Sequence, residues 1–77
     1  MENIDARLAA LGFVKQGKEW HRIENKGWLK LVVFFSPSWD SWILERRRRD
    51  FDGRYRIDSR EDWTEYVLAE DLLRAIE

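Results

Sequence analysis

The stretch Trp28 to Phe35, reading Trp-Leu-Lys-Leu-Val-Val-Phe-Phe, constrains the fold most, because it is almost wholly apolar and built from residues that favour strands. It predicts a central strand. By the strand period of two, Leu29, Leu31, Val33 and Phe35 share one face, while Trp28, Lys30, Val32 and Phe34 share the other. The first face is fully apolar. The second is polar only at Lys30, so its far half needs cover as well, from the chain's own helices or from another chain.

A chain of 77 residues buries only about 60% of its unfolded surface, which leaves room for one core and one domain spanning residues 1–77. Five Trp, four Phe and two Tyr are many for that core, since each buries roughly 150–250 Å². Some of them are therefore expected to serve outside it. The absence of Cys excludes disulfides, thiolate zinc sites and cysteine nucleophiles together. Met1-Glu2-Asn3-Ile4-Asp5 shows no basic region followed by an apolar core, so no secretory signal is read and a cytoplasmic protein is expected. The longest apolar run, Leu31 to Phe35, is five residues against the roughly 20 of a membrane helix.

The formal net charge of −1 conceals a polarised chain. Residues 46–60 hold seven Arg against Asp50, Asp52 and Asp58, for +4, and residues 61–77 hold six acids against Arg74, for −5.

Along the chain, Asn3 caps a helix whose apolar positions Ile4, Leu8 and Leu11 recur at helical spacing, and Gly12 stands where a left-handed terminus is usual. Phe13 and Val14 lead through Gly17 into a strand over Glu19 to Glu24. Asn25-Lys26-Gly27 suits a three-residue hairpin with Gly27 at the positive-φ position. That register sets Glu24 opposite Trp28, Ile23 opposite Leu29 and Arg22 opposite Lys30, which aligns the apolar faces. It places His21 and Ile23 on the apolar face and Trp20 on the other. Ser36-Pro37-Ser38-Trp39-Asp40-Ser41 reads as a loop. A third strand starts near Trp42, runs into Arg46 to Arg49 and turns at Asp50-Phe51-Asp52-Gly53, where Asp-Gly signals a hairpin into Tyr55 and Ile57. Whether Tyr55 and Ile57 share a face with Trp42 and Leu44 or with Ile43 depends on the loop length and stays open.

The tail allows two readings. Ser59 and Asp62 resemble a capping box that would start one helix running to the C-terminus. A strand over Trp63 to Leu68 with a helix from Ala69 gives the cleaner apolar stripe, Ala69, Leu72, Leu73 and Ile76, and is preferred. The sequence thus predicts an α+β fold, a mostly antiparallel sheet of four or five strands with an N-terminal and a C-terminal helix.

No motif fixes a chemistry. His21 is the single histidine and reads as structural; no serine has a triad context. Asp50, Asp52, Asp58 and Glu61 match positions 1, 3, 9 and 12 of a calcium loop, but Tyr55 replaces the required glycine and four arginines precede it, so a hairpin turn explains them better. No metal, cofactor or catalytic residue is expected. The strongest feature is the arginine set Arg46, Arg47, Arg48, Arg49, Arg54 and Arg56, with Arg60. Alternation sends Arg46 and Arg48 to one face and Arg47 and Arg49 to the other. Either these side chains form a cationic, aromatic-edged surface for an acidic protein or a phosphate, or they pair with the acidic tail and with Asp50, Asp52 and Asp58. Trp39, three residues before Trp42, either lids the core or stands exposed as an interface anchor.

The expected function is a small non-catalytic regulator or inhibitor that binds another protein through Trp39, Trp42 and the arginine hairpin. Nucleic-acid binding through that hairpin and the sheet aromatics is the alternative, opposed by a sequence pI near 5.8. Trp20, Trp28, Val32 and Phe34 form a candidate self-association face for a homo-oligomer.

Overall fold

The computed structural model describes residues 4–57, 64–66 and 69–76. Helix α1 (Ile4–Ala10) ends as the sequence requires. Gly12 adopts φ 92°, and the Gly12 and Phe13 amides donate to the carbonyls of Ala9 and Leu8 at 3.1 and 3.0 Å, satisfying the last turn. Five further elements follow: β1 (Val14–Gln16), β2 (Glu19–Glu24), β3 (Leu29–Ser36), β4 (Ser41–Arg49) and β5 (Tyr55–Ile57). Then come β6 (Thr64–Tyr66) and helix α2 (Ala69–Ile76). The strands form one antiparallel sheet in the order β1-β2-β3-β4-β5, and β6 also pairs with β4. Because β5 opposes Arg47 to Arg49 and β6 opposes Trp42 to Leu44, the two lie end to end along one side of β4. The fold is α+β, with the strand–helix reading of the tail: residues 64–66 are extended and the helix starts at Ala69. Asn3, the Ser59 to Asp62 capping box, Trp63, Val67 and Leu68 lie outside the described residues.

Both helices cover one face of the sheet. Leu8 of α1 and Leu72, Leu73 and Ile76 of α2 pack on Phe13, Leu31, Val33 and Leu44, each fully buried aliphatic contributing roughly 1.5–3 kcal/mol. The two faces of β3 are as its alternation predicts. Val32, on the face away from the helices, is also fully buried, and Ile43 beside it is 3% exposed.

The β2–β3 register departs from expectation by one residue. Trp28 adopts right-handed helical backbone, φ −79° and ψ −20°, and its amide donates to the Asn25 carbonyl, so the turn holds Asn25 to Trp28 instead of three residues. Asn25 and Lys26 take φ 51° and 57° alongside Gly27 at 98°. With a side-chain period of two, one added residue turns β2 over relative to β3. Glu24 therefore faces Leu29, Ile23 faces Lys30, His21 faces Val32 and Trp20 faces Val33. Trp20 packs against the core and Ile23 is 52% exposed. Arg22 comes to the helix face, where its guanidinium lies 4.8 Å from the Phe13 ring centre and donates to the Leu11 carbonyl at 2.9 Å. Its long stem covers apolar surface while its head ties down the end of α1.

Strand β1 was not expected. It pairs with β2 across Gly17-Lys18, with Gly17 at φ 65° in the first central position, where a two-residue hairpin favours glycine. Tyr55 and Ile57 share a face with Ile43, since they oppose Arg49 and Arg47.

Candidate functional site

The arginine hairpin and the Trp39 loop do not meet. Trp39 lies in the β3–β4 loop and Arg49 at the far end of β4, whose nine residues span about 30 Å at roughly 3.3 Å per residue. Trp39 is 68% exposed and does not lid the core. Its loop is held by the Ser41 hydroxyl donating to the Trp39 carbonyl at 2.8 Å, with Asp40 at φ 49°. Trp42 is half-buried on the helix face, where it packs against the core and meets the Phe35 ring edge-on at 5.5 Å.

The expected self-association set also divides. Trp20 is half-buried on the helix face and Val32 is fully buried on the opposite face, so the two do not lie on one open surface. Phe34 is half-buried, and Trp28, 59% exposed, belongs to the turn beside the arginine hairpin.

At that end, two turns are laced together. The Tyr55 hydroxyl donates to the Gly27 carbonyl at 2.6 Å and the Arg49 amide to the Trp28 carbonyl at 2.9 Å. The Arg49 guanidinium stands 6.0 Å from the centre of the Trp28 ring, and Lys30 Nζ 4.3 Å from that of Tyr55, each a cation on an aromatic face. Beyond them projects the turn of Asp50 to Arg54. Asp50 Oδ1 accepts from the Phe51 amide at 2.8 Å and Asp52 Oδ1 from the Arg54 amide at 2.9 Å. Phe51, between the two carboxylates, is fully exposed.

The arginines differ in what they are free to do. Arg56 bridges Asp50 and Asp52 at 2.9 and 3.0 Å. The Phe51 amide and the Arg56 guanidinium hold the Asp50 carboxyl below its usual range. Arg47 is structural: its Nε donates to Glu45, 2% exposed, at 2.6 Å, and it lies 3.7 Å from Glu19. Glu19 in turn meets His21 Nε2 at 2.9 Å. His21 thus belongs to a polar row on the face away from the helices, and not to the apolar face. Arg46 and Arg48 share the helix side, Arg48 exposed and Arg46 half-buried, while Arg49 and Arg54 are exposed. Among the described residues, Arg47 pairs with Glu45 and Glu19, and Arg54 and Arg56 pair with the aspartates of their own turn.

Arg48, Arg49, Asp50, Arg56 and Ile57 line an open depression at the β5 edge. The surface that emerges is therefore Trp28, Arg49, Phe51, Arg54 and Ile57 around this hairpin. Phe51 and Ile57 went unnoticed in the sequence, although an aromatic residue between two turn-forming aspartates is a signal in itself, since turns seldom need one. Asp58, Arg60 and Glu61 lie outside the described residues, and Asp50 and Asp52 are engaged by the turn and Arg56. Among the described residues, no three His, Asp or Glu side chains gather as metal ligands, and no helix is long and apolar enough to cross a membrane. No family model, curated protein or solved structure matches the chain.

Proposed function

We propose that the chain is a small non-catalytic regulator or inhibitor that binds an acidic surface of another protein through its arginine-hairpin end. One observation carries the reading: Phe51 is fully exposed at the tip of a turn held in shape by Asp50, Asp52 and Arg56. An aromatic side chain with no packing role, on a pre-ordered turn whose two carboxylates are engaged by backbone amides and Arg56 and whose ends carry Arg49 and Arg54, fits an interface anchor, because ordering costs are already met and aromatics and Arg concentrate binding energy. Arg49 and Arg54 would supply selectivity and a faster encounter with an acidic partner. Nucleic acid is less suited, since the Tyr55 ring lies under Lys30 with its hydroxyl engaged, and the exposed Phe51 ring stands between the Asp50 and Asp52 carboxylates, which repel a phosphate backbone.

Two measurements test the reading. Immobilised chain should retain a protein from its host's extract that Phe51→Ala and Arg49→Glu variants lose while both still unfold cooperatively, as fully folded domains do. Labelled single-stranded and duplex DNA and RNA should bind weakly at about 50 mM salt and fade by about 200 mM, the range in which phosphate binders lose decades of affinity. Tight nucleic-acid binding abolished by Arg49→Glu with Arg54→Glu would overturn the proposal.

A further inference from the structure

We infer that the partner enters as an extended segment of alternating acidic and apolar residues, added as a strand along β5; this rests on the protein-binding reading above. The backbone supplies the first argument. The Asp50 amide donates to the Arg54 carbonyl at 2.8 Å, and the Arg49 amide points the other way, to the Trp28 carbonyl. In an antiparallel ladder such pairs alternate. Arg48 and Arg56 are therefore the pair that exchanges bonds, while Tyr55 and Ile57, opposite Arg49 and Arg47, direct their N–H and C=O groups away from β4. Among the described residues, β5 pairs with no strand but β4, so those groups form an open edge.

Charge and alternation choose the occupant. Exposed Arg54 and Arg56 on this edge oppose its pairing with a second copy of itself, since cations on edge strands repel a like strand. An acidic strand meets the opposite condition, because Arg56 is 59% exposed and uses two of its five N–H donors on Asp50 and Asp52, which leaves donors for an incoming carboxylate. Residues of the added strand opposite Arg56 fall on the side of Arg48 and Arg56, and those opposite Tyr55 and Ile57 fall on the other side, by the period of two. Ile57 is 44% exposed and offers the apolar contact there. An acid facing Arg56 and a β-branched residue facing Ile57 satisfy both sides, the pattern of β-strand addition in which main-chain bonds give affinity and alternate side chains give specificity.

The probe is an acetylated, amidated Val-Glu-Val-Glu-Val peptide, followed by amide shifts and hydrogen exchange. Binding should perturb Tyr55 to Ile57 first and slow exchange of the Ile57 amide. Methylating the valine nitrogens, which removes the donors facing Tyr55 and Ile57 without touching charge or the protein, should weaken binding at least tenfold. Ile57→Pro, which deletes an outward N–H and leaves the β4 ladder intact, should do the same at unchanged fold, and Ile57→Val should not. Equal binding by methylated and unmethylated peptide, or no response to the peptide at millimolar concentration, would overturn the inference. The wider protein-binding reading is judged separately, by whether the Phe51 and Arg49 variants lose the captured protein.

Discussion

Glu45 is the residue on which the unhelixed side of the sheet turns. It lies in one row with Val32 and His21 across three strands, 2% exposed, with Arg47 at 2.6 Å. A buried carboxylate keeps its charge only beside such a partner, and removing one member of a buried pair costs about 3–5 kcal/mol, whereas replacing both by apolar groups is often neutral. The Arg47 side chain is 24% exposed, which moves the loss toward the lower end. Arg47→Ala should therefore lower the melting temperature by about 10 °C or more, at the 4–8 °C per kcal/mol of a domain this small. The pair Glu45→Leu with Arg47→Met should recover most of it. Equal losses in the single and double variants would show that the pair is not what holds this row. The consequence for function is that Arg47 is a poor choice for a binding-site variant, and Arg49 and Arg54 carry that test.

At the scale of elements, what could be read from the sequence was what local pattern decides. The faces of β3, the Asp-Gly hairpin after Arg49, the end of α1 at Gly12 and the start of α2 at Ala69 each follow from residues within a few positions of one another. The β2–β3 register did not, because it depends on whether Trp28 extends β3 or closes the turn. Both choices satisfy the composition, and matching Ile23 with Leu29 made the wrong one look consistent. In the fold, Trp28 gains the Arg49 guanidinium and the Asn25 carbonyl, contacts that local pattern does not contain. Strand β1 was missed for a related reason: of Val14, Lys15 and Gln16 only Val14 favours strands, and the pairing comes from β2. The register is open to direct test. Ile23→Lys should change stability by no more than about 0.5 kcal/mol, as an exposed position should. Trp20→Ala, half-buried against the core, should cost about 2 kcal/mol or more, below the 3–5 typical of fully buried aromatics. The reverse order in urea denaturation would restore the three-residue turn.

Across the whole molecule, the residues that the sequence grouped into one candidate site do not come together: the arginine hairpin stands at one end of β4 and the Trp39 loop at the other. Trp39, Trp42 and the arginines are neighbours in sequence, but a continuous strand separates its two ends by its full length, and β4 carries Trp42 inward on the way. Among the described residues there are therefore two exposed aromatic ends, one with Trp39 and one with Trp28 and Phe51, and of these the second has exposed cations of the arginine hairpin beside it. Sites more than about 7–10 Å apart with no shared partner contribute independently, within about 0.3–0.5 kcal/mol. Trp39→Ala should accordingly leave capture of the partner unchanged, and its effect on stability should add to that of Arg49→Glu. Phe51→Ala should instead raise the dissociation rate at least tenfold with little change in association, as the loss of a desolvated anchor does, while Arg49→Glu should mainly slow association and flatten its salt dependence. Stopped-flow or surface-based kinetics on the three variants separate these patterns. If Trp39→Ala speeds dissociation as much as Phe51→Ala does, the partner lies along the whole length of β4, and the docking surface is the long hairpin and not its arginine end.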